Sequence, residues 1–332
     1  LYEPPSTFPE FGDVQVRTFG INRVVALRRS HRLALPVLAS AFARHHVAAD
    51  VTICSSSGWA HGVQATRRKV VFCYSPARWL YDGRRYLGTT RGAAAVGLAA
   101  IRSPLSRWDA RAAHTAHRYL AISSFVRARI RQIYGIEAEV LHPPPTLSPG
   151  GPREDPGGIE PGFRLCVSRL LPSKNVDSVV EAFTRLPGER LVVVGVGPER
   201  QRIEASAGSN VRFVGSVTDE QLRWLYAACG SVVSAAYEDY GLTPLEAATF
   251  GKPSVVLRAG GFLDTVVEGR TGAFFGRPEP AAIAAALQHV VAHQPDADDL
   301  RRHAGGFSQI RFISRLREIV AEEASADAAL RS

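Results

Sequence analysis

The second half of the chain alternates short apolar runs with amphipathic segments. Continuous apolar runs such as LVVVGVG (191–197) predict buried strands, because a strand covered on both faces shows no polar alternation. In NVDSVVEAFTRL (175–186) the apolar side chains recur at helical spacing. Strands that alternate with helices predict a doubly wound parallel α/β sheet. The predicted strands are 163–170, 191–197, 211–215, 231–236 and 253–258, and the predicted helices are 175–186, 198–207, 219–229, 243–251 and 262–268.

The first half is less regular but has the same plan. Its predicted strands are 49–56, 69–75 and 119–124, and its predicted helices are 34–46 and 123–135. Between the halves, the Pro- and Gly-dense stretch 143–161 predicts a linker without regular structure. We therefore expect an N-terminal domain over 1–142, a linker over 143–161, a second domain over 162–305 and a helical tail over 306–332.

The composition is that of a cytoplasmic two-domain protein. The chain has 332 residues, of which 45% are hydrophobic and 21% are charged. No apolar run reaches the roughly 18–20 residues of a membrane span. The four widely spaced cysteines, Cys54, Cys73, Cys166 and Cys229, are expected to be reduced and buried.

The net charge of +9 is unevenly distributed. Residues 1–140 contain 20 Lys and Arg against 8 Asp and Glu, a net +12, and the remainder carries −3. A basic half indicates an anionic partner, such as nucleic acid, anionic lipid or a phosphorylated substrate. The alternative is an arginine-rich set of solvated faces.

The stretch SVVSAAYEDYGLTPLEAATFGKP (231–253) carries two carboxylates around a turn, Glu238 and Glu246. On spacing, Thr243, Pro244 and Glu246 fit a helix start with Thr as N-cap and Glu in a capping box. The same geometry suits a ligand, since a helix N-terminus offers amides and a positive dipole end to a phosphate. Glu246 can then accept from ribose hydroxyls and Glu238 from sugar hydroxyls. The spacing leaves both interpretations open.

Two more loops follow predicted strands. In SRLLPSKN (168–175), Arg169 and Lys174 either converge on a diphosphate or are solvated loop cations. In RAGGFLDTV (258–266), two glycines either let backbone amides approach a ligand or form a tight turn.

Other patterns exclude classes of function. VVVGVGPER (192–200) has Arg200 where a dinucleotide-binding motif needs its third glycine, so we reject a dehydrogenase. The sequence has no HExxH, GxSxG or P-loop motif. The Asp-Ala-Asp of 296–298 stands at a predicted helix start, so we assign it to N-capping and predict no metal site.

Two motifs of the first half also follow strands. SSSGWAHGV (55–63) carries His61, which is either a ligand-facing group or a satisfied core histidine. YSPARWLYD (74–82) gathers Arg78, Trp79 and Asp82, and an aromatic beside Arg suits a sugar face or a phosphate. These residues can equally pack a loop.

Together the motifs resemble the retaining glycosyltransferases of family 4, which have the α/β GT-B fold of two Rossmann-like, doubly wound parallel-sheet domains facing a cleft. The resemblance covers most of the chain and is strongest over 163–275. The family's E-x7-E motif corresponds to Glu238 and Glu246, and its diphosphate-binding Arg/Lys pair to Arg169 and Lys174.

The glycines of RAGGFLDTV correspond to the family's loop near the donor sugar, with Asp264 where Glu is more usual. By this resemblance, Glu246 binds the nucleotide ribose, Glu238 contacts the donor hexose, and the Arg/Lys pair stabilises the leaving diphosphate without a metal or other cofactor. The implied catalytic residues are Glu238, Arg169, Lys174 and His61. The implied donor-binding residues are Glu246, Gly241, Leu242, Thr243, Gly260, Gly261, Phe262 and Gly195. The implied acceptor-side residues are Arg78, Trp79 and Asp82.

The first-half motifs look like those of a mannosyltransferase-like branch of bacterial surface-polysaccharide synthesis. The resemblance implies GDP-mannose as donor and a glycan or polyprenyl-diphosphate-linked acceptor at the inner membrane face, where the basic half would contact anionic lipid. The family's opening Gly-rich loop is not found after Leu1, and we expect the natural chain to carry it in a preceding segment. The alternatives are a non-catalytic relative that scaffolds polysaccharide assembly, and a nucleic-acid-binding protein, for which no binding module is found.

Overall fold

The chain divides into two compact units in the computed structural model, which describes residues 11–29, 31–82 and 93–329. The first unit comprises Leu1–Leu120, Arg129–Glu139 and Val320–Ser332, and the second comprises Ala121–Ala128 and Val140–Ile319. The end of the predicted C-terminal tail therefore belongs to the first unit. There Glu323 pairs with Arg68 at 2.6 Å.

The first unit is built on a four-stranded sheet of order β2-β4-β5-β6, and β2 and β4 are parallel. A separate pair, β1 and β3, is also parallel. The three strands predicted for this half correspond to β2, β4 and β5. The strands are β1 His46–Val47, β2 Val51–Ser56, β3 Gln64–Ala65, β4 Arg68–Cys73, β5 Arg118–Ala121 and β6 Glu139–Val140.

Both helices predicted for the first half are present, as His31–Ala43 and Ser124–Tyr134. The long helix Ala93–Ala113 was not predicted, because its Ala- and Gly-rich beginning shows no amphipathic period. Among the described residues of the first half, the other helices are Val25–Arg29 and Arg78–Tyr81, with 3-10 turns at Gly20–Arg23 and Ala60–Gly62. The C-terminal helix is Gln309–Ala329.

The second unit contains a six-stranded sheet whose neighbouring strands are all parallel, in the order β12-β11-β10-β7-β8-β9. Five of the six strands were predicted. The short β12 was not, since its four residues lie directly after a turn. The strands are β7 Arg164–Val167, β8 Leu191–Val194, β9 Val211–Gly215, β10 Ser231–Ser234, β11 Ser254–Leu257 and β12 Gly272–Phe275.

Helices cover both faces of this sheet. Along β8, Leu191 and Val193 join one buried cluster, whereas Val192 and Val194 join another, because successive side chains of a strand point to opposite faces. The first cluster includes Val179 and Phe183, from the predicted helical stripe. The helices are Val176–Thr184, Arg200–Ala205, Asp219–Ala228, Leu242–Thr249, Phe262–Thr265, Pro280–Ala292 and Ala297–Gly305.

Several smaller expectations are also confirmed. Residues 141–163 contain no helix or strand, as their Pro and Gly content predicts. The four cysteines are free and buried. Asp296 is the N-cap of Ala297–Gly305, and its side chain accepts from the Asp299 amide at 2.8 Å. Across the described ranges, every helix is too short or too polar to cross a bilayer.

The loop after β8 packs against the loop after β7 through backbone contact. Gly195 has φ +132°, and a Cβ placed on it would lie 2.0 Å from the Ser168 carbonyl oxygen. A Cβ on Gly197 would lie 2.2 Å from the Leu170 carbonyl oxygen. Any side chain at Gly195 must therefore push the two loops apart and also strain the backbone.

We expect Gly195→Ala to lower the free energy of unfolding of the second unit by more than about 2 kcal/mol. Gly276→Ala is the matched control, since a Cβ there meets nothing within 4 Å. Urea denaturation followed by far-UV circular dichroism measures both. Equal midpoints for the two variants would show that the loops separate without cost.

Candidate active site

The first strand of the second unit, β7, lies in the middle of its sheet. From it the chain runs outward through β8 and β9 on one side, and then returns to β10, β11 and β12 on the other. This order reverses direction between β7 and β10, and ligands of open α/β sheets bind beyond the carboxyl ends of the strands at such a reversal. The loops after β7 and β10 are therefore the candidate ligand-binding region of this unit.

Two side chains of the β7 loop reach the β10 loop. Lys174 Nζ lies 2.5 Å from Glu238 Oε1, and the Asn175 side-chain amide donates to the Ala235 carbonyl at 2.9 Å. Lys174 is buried, while 29% of the Glu238 side chain is exposed. Arg169 is exposed, and within the described ranges its guanidinium makes no ion pair or hydrogen bond. The loop therefore offers one paired and one open cation.

The glycines of the β11 loop pack against the β10 loop. A Cβ on Gly260 would lie 2.1 Å from the Glu238 carbonyl oxygen, and one on Gly261 would lie 2.2 Å from Tyr240 Cα. The Gly261 amide donates to the Glu238 carbonyl at 2.9 Å. These glycines thus form the tight turn that was one of the two sequence interpretations. The Phe262 side chain is buried with Val256 and Val266, so it offers a donor no side-chain surface.

The helix after β10 begins earlier than predicted. Its N-cap is Gly241, with φ +100°, and no side chain caps it. The capping-box interpretation of Thr243 and Glu246, one of the two left open by the spacing, is therefore wrong. Gly241 makes the early start possible, because it takes a left-handed conformation and leaves room for the Phe262 ring, which a Cβ would meet at 2.5 Å. The first-turn amides, including that of Leu242, have no partner within the helix.

Glu246 lies in the second turn of this helix and is 9% exposed. Tyr226 donates to Oε2 at 2.8 Å, and the Thr146 hydroxyl donates to Oε1 at 2.9 Å. Burial raises the pKa of Glu246, and hydrogen bonds from Tyr226, Thr146 and the Leu147 amide oppose that rise. The carboxylate is thus held by neutral donors, whereas Glu238 is held by a cation. Burial and the Glu246 carboxylate raise the pKa of Tyr226, and Thr243, in the first turn of the helix that carries Glu246, opposes that rise.

The neighbours of Glu246 were not visible in the sequence. Tyr226 precedes it by 20 residues and Thr146 by 100. Tyr226 stands on a predicted helix, but an apolar-facing tyrosine gives no signal of its hydroxyl partner.

In the first unit, His61 is buried. Its Nδ1 lies 2.9 Å from Ser56 Oγ, and its Nε2 lies 3.0 Å from Asp109 Oδ1. Asp109 Oδ2 accepts from Tyr134 at 2.7 Å and from Tyr81 at 2.8 Å. The structure therefore places His61 in the core, where Nδ1 pairs with Ser56 and Nε2 faces the Asp109 carboxylate, and not on a surface open to a sugar. Ser56, Asp109 and the tyrosines were missed, because their pairing depends on distant segments.

Serine, histidine and aspartate in this order have the composition of a hydrolase triad. Ser56 is 1% exposed, His61 2% and Asp109 1%. A nucleophile must reach its substrate, so this closed network favours a structural role over nucleophilic catalysis. The buried ammonium of Lys69 also holds the backbone of this segment, since it donates to the His61 and Val63 carbonyls at 2.9 Å each.

The predicted acceptor-side residues lie in and next to the helix Arg78–Tyr81. Trp79 stacks on Trp59 with ring centroids 5.0 Å apart, and Trp59 also contacts Trp108 at 5.8 Å. Asp82 pairs with Arg129 at 3.1 Å. Arg78 is half-buried. Trp59, Trp79 and Trp108 are also half-buried, so part of each indole ring is exposed to solvent. Trp59 and Trp108 were not predicted to join this cluster.

Comparisons with known proteins find a family match within the second unit. Residues 159–305 match the family described as glycosyl transferases group 1. A glycogen synthase of Mycobacterium tuberculosis is 33% identical over 141 residues, which are 40% of this chain and 34% of that protein. A GDP-mannose-dependent alpha-(1-6)-phosphatidylinositol monomannoside mannosyltransferase of Mycolicibacterium smegmatis is 27% identical over 199 residues, 52% of each chain.

A solved structure of sucrose-phosphate synthase from Thermosynechococcus elongatus superimposes with a TM-score of 0.69 at 20% identity, covering 90% of this chain and 80% of that one. This likeness confirms the predicted α/β GT-B fold class with its parallel sheets. The matched residues 159–305 contain the whole of 163–275, where the sequence resemblance is strongest. The chain spans about a third to a half of the length of the curated relatives it matches.

We expect Asp109→Ala to destabilise the first unit by about 3–5 kcal/mol, because it strands a buried histidine and two tyrosine hydroxyls. Asp82→Ala, which breaks a partly exposed pair, should cost no more than about 1 kcal/mol. Urea denaturation followed by tryptophan fluorescence reports on Trp59, Trp79 and Trp108 of this unit. Similar midpoints for both variants would contradict the assignment of Asp109 to the core.

Proposed function

We propose that this protein is a retaining glycosyltransferase of the family 4 type that transfers a hexose from a nucleotide-diphosphate sugar to a glycan or lipid-linked acceptor. One observation carries the proposal. Arg169 and Lys174 follow β7, and Glu238, Gly241 and Glu246 follow β10, in its loop and in the first two turns of the next helix, so all five flank the strand reversal between β7 and β10. An open α/β sheet binds nucleotides at that position.

The cations of the β7 loop suit the departing diphosphate. Arg169 offers a planar fork of donors, and Lys174 offers a compact charge. In the free protein Glu238 neutralises Lys174 at 2.5 Å. A diphosphate would share that ammonium, and negative charge developing on the leaving group would strengthen the contact as the sugar–phosphate bond breaks. These side chains would supply this stabilisation without a metal or other cofactor.

The remaining groups would each bind a different part of the donor. Glu238, partly exposed, would accept from hexose hydroxyls. Glu246 would accept from ribose hydroxyls, and the open amides of Gly241 and Leu242 would face a phosphate. With no further carboxylate assigned as a nucleophile, retention would follow from substitution on the face from which the diphosphate leaves.

GDP-mannose is the donor we propose. It is supported by the sequence resemblance to a mannosyltransferase-like branch and by the relative whose name specifies GDP-mannose. The acceptor would be a glycan or a polyprenyl-diphosphate-linked sugar of surface-polysaccharide synthesis. The net +12 of residues 1–140 would favour a peripheral position at the anionic cytoplasmic face of the membrane.

We expect saturable binding of one donor from a panel of GDP-mannose, UDP-glucose, UDP-GlcNAc and GDP-fucose, measured by calorimetry. Glu246→Ala should weaken that binding by about one to two orders of magnitude, because hydrogen bonds to a carboxylate are lost. Glu189→Ala is the matched control, since Glu189 pairs with Arg164 at 2.8 Å at the beginning of β7. Failure of the unaltered protein to bind any donor would refute the proposal.

Turnover separates the transferase from a non-catalytic binder. We expect Lys174→Ala to reduce kcat for donor hydrolysis or transfer by about 100-fold, with a smaller effect on KM, because the lysine acts mainly on the leaving charge. Lys252→Ala, on the turn that enters β11, should leave kcat unchanged. Donor binding without turnover in the unaltered protein would favour the scaffold alternative instead.

A further inference from the structure

Tyr226 is fully buried, and its hydroxyl contacts the carboxylate of Glu246. It stands on the helix Asp219–Ala228, and its ring stacks on Phe250 with centroids 5.4 Å apart. The stacked ring fixes the direction of the hydroxyl, which donates to Glu246 Oε2 at 2.8 Å.

A second donor holds the other oxygen of Glu246. The Thr146 hydroxyl donates to Oε1 at 2.9 Å, and the backbone amides of Thr146 and Leu147 also act to lower the pKa of this carboxylate. Thr146 itself is exposed, so the contact lies at the rim of the unit. Glu246 is thus clamped between a core hydroxyl and a surface hydroxyl.

This clamp matters because the carboxylate is buried. Burial favours the neutral acid and raises the pKa of Glu246, whereas hydrogen bonds donated to the ionised form lower it. A protonated Glu246 would turn one acceptor oxygen into a donor. A ribose diol bound to it would then lose part of its recognition.

We propose that Tyr226 and Thr146 are positioning residues for nucleotide recognition, and that their hydroxyls hold the Glu246 carboxylate in the orientation in which it accepts from ribose. The inference rests on the proposed function, because it assigns ribose to Glu246. It adds that ribose selectivity depends on two side chains that do not themselves touch the nucleotide. The competing explanation is that the clamp only fastens residues 146–147 to the unit.

The readout is the ratio of dissociation constants for a nucleotide and its 2′-deoxy counterpart. The probes are GDP with 2′-deoxy-GDP and UDP with 2′-deoxy-UDP, measured by calorimetry between pH 5 and 8. We expect the unaltered protein to prefer the ribonucleotide by about tenfold or more, as a hydrogen bond to a charged group provides. A purely structural clamp would not couple this ratio to Tyr226.

We expect Tyr226→Phe to bring the ratio close to one. We also expect the acid limb of binding to move to higher pH. The sign follows from the hydrogen bond: losing it raises the pKa of Glu246 further, so protonation and loss of binding begin at a higher pH. Thr146→Val should act in the same direction, and its exposed position keeps the risk to folding low.

Tyr134→Phe is the matched control, since it removes a buried tyrosine hydroxyl that donates to Asp109 at 2.7 Å in the other unit. It should lower the stability of that unit. It should leave unchanged both the ratio of dissociation constants and the pH at which nucleotide binding is lost. An unchanged ratio and pH limb in Tyr226→Phe overturns the inference. If Tyr226→Phe does not fold, an unchanged ratio in Thr146→Val overturns it. Absence of nucleotide binding by the unaltered protein instead overturns the proposed function on which the inference rests.

Discussion

The parallel sheet of the second unit imposes the constraint on which the candidate site depends. Because all six strands run the same way, the loops after β7, β8, β10 and β11 leave the sheet at one edge. They pack there backbone against backbone, with Gly195 on Ser168 and Gly260 on Glu238. The loops therefore hold their polar side chains on a closely packed edge that leaves no room for additional side chains. At this edge Lys174 of the loop after β7 meets Glu238 of the loop after β10.

Within that edge the two carboxylates have different environments. Glu238 is partly exposed and paired with the buried ammonium of Lys174, which would be costly to bury alone. Glu246 is buried and held by the hydroxyls of Tyr226 and Thr146. A carboxylate paired with a cation, like Glu238, suits a position beside a group whose charge changes during a reaction. One held by neutral donors in a fixed direction suits recognition of a neutral diol.

Periodicity predicted most of the elements, because each strand and helix buries a local stripe. The helical stripe that includes Val179 and Phe183 was readable without any partner segment. The start of Leu242–Thr249 was not, because it depends on the φ of Gly241 and on the space taken by Phe262. Tyr226 and Thr146 were missed for a related reason. Their link to Glu246 exists only after distant segments have packed.

The two units use the same local chemistry for different ends. In each, a buried tyrosine donates to a buried carboxylate: Tyr134 to Asp109 at 2.7 Å, and Tyr226 to Glu246 at 2.8 Å. Asp109 also accepts from Tyr81 and faces His61, and it is buried from solvent. Glu246 instead follows the open N-terminus of a helix at the strand reversal, with an exposed threonine as its other partner. The residue types are equivalent, so it is their position in the sheet topology that distinguishes the closed carboxylate of Asp109 from Glu246, for which we propose a ligand.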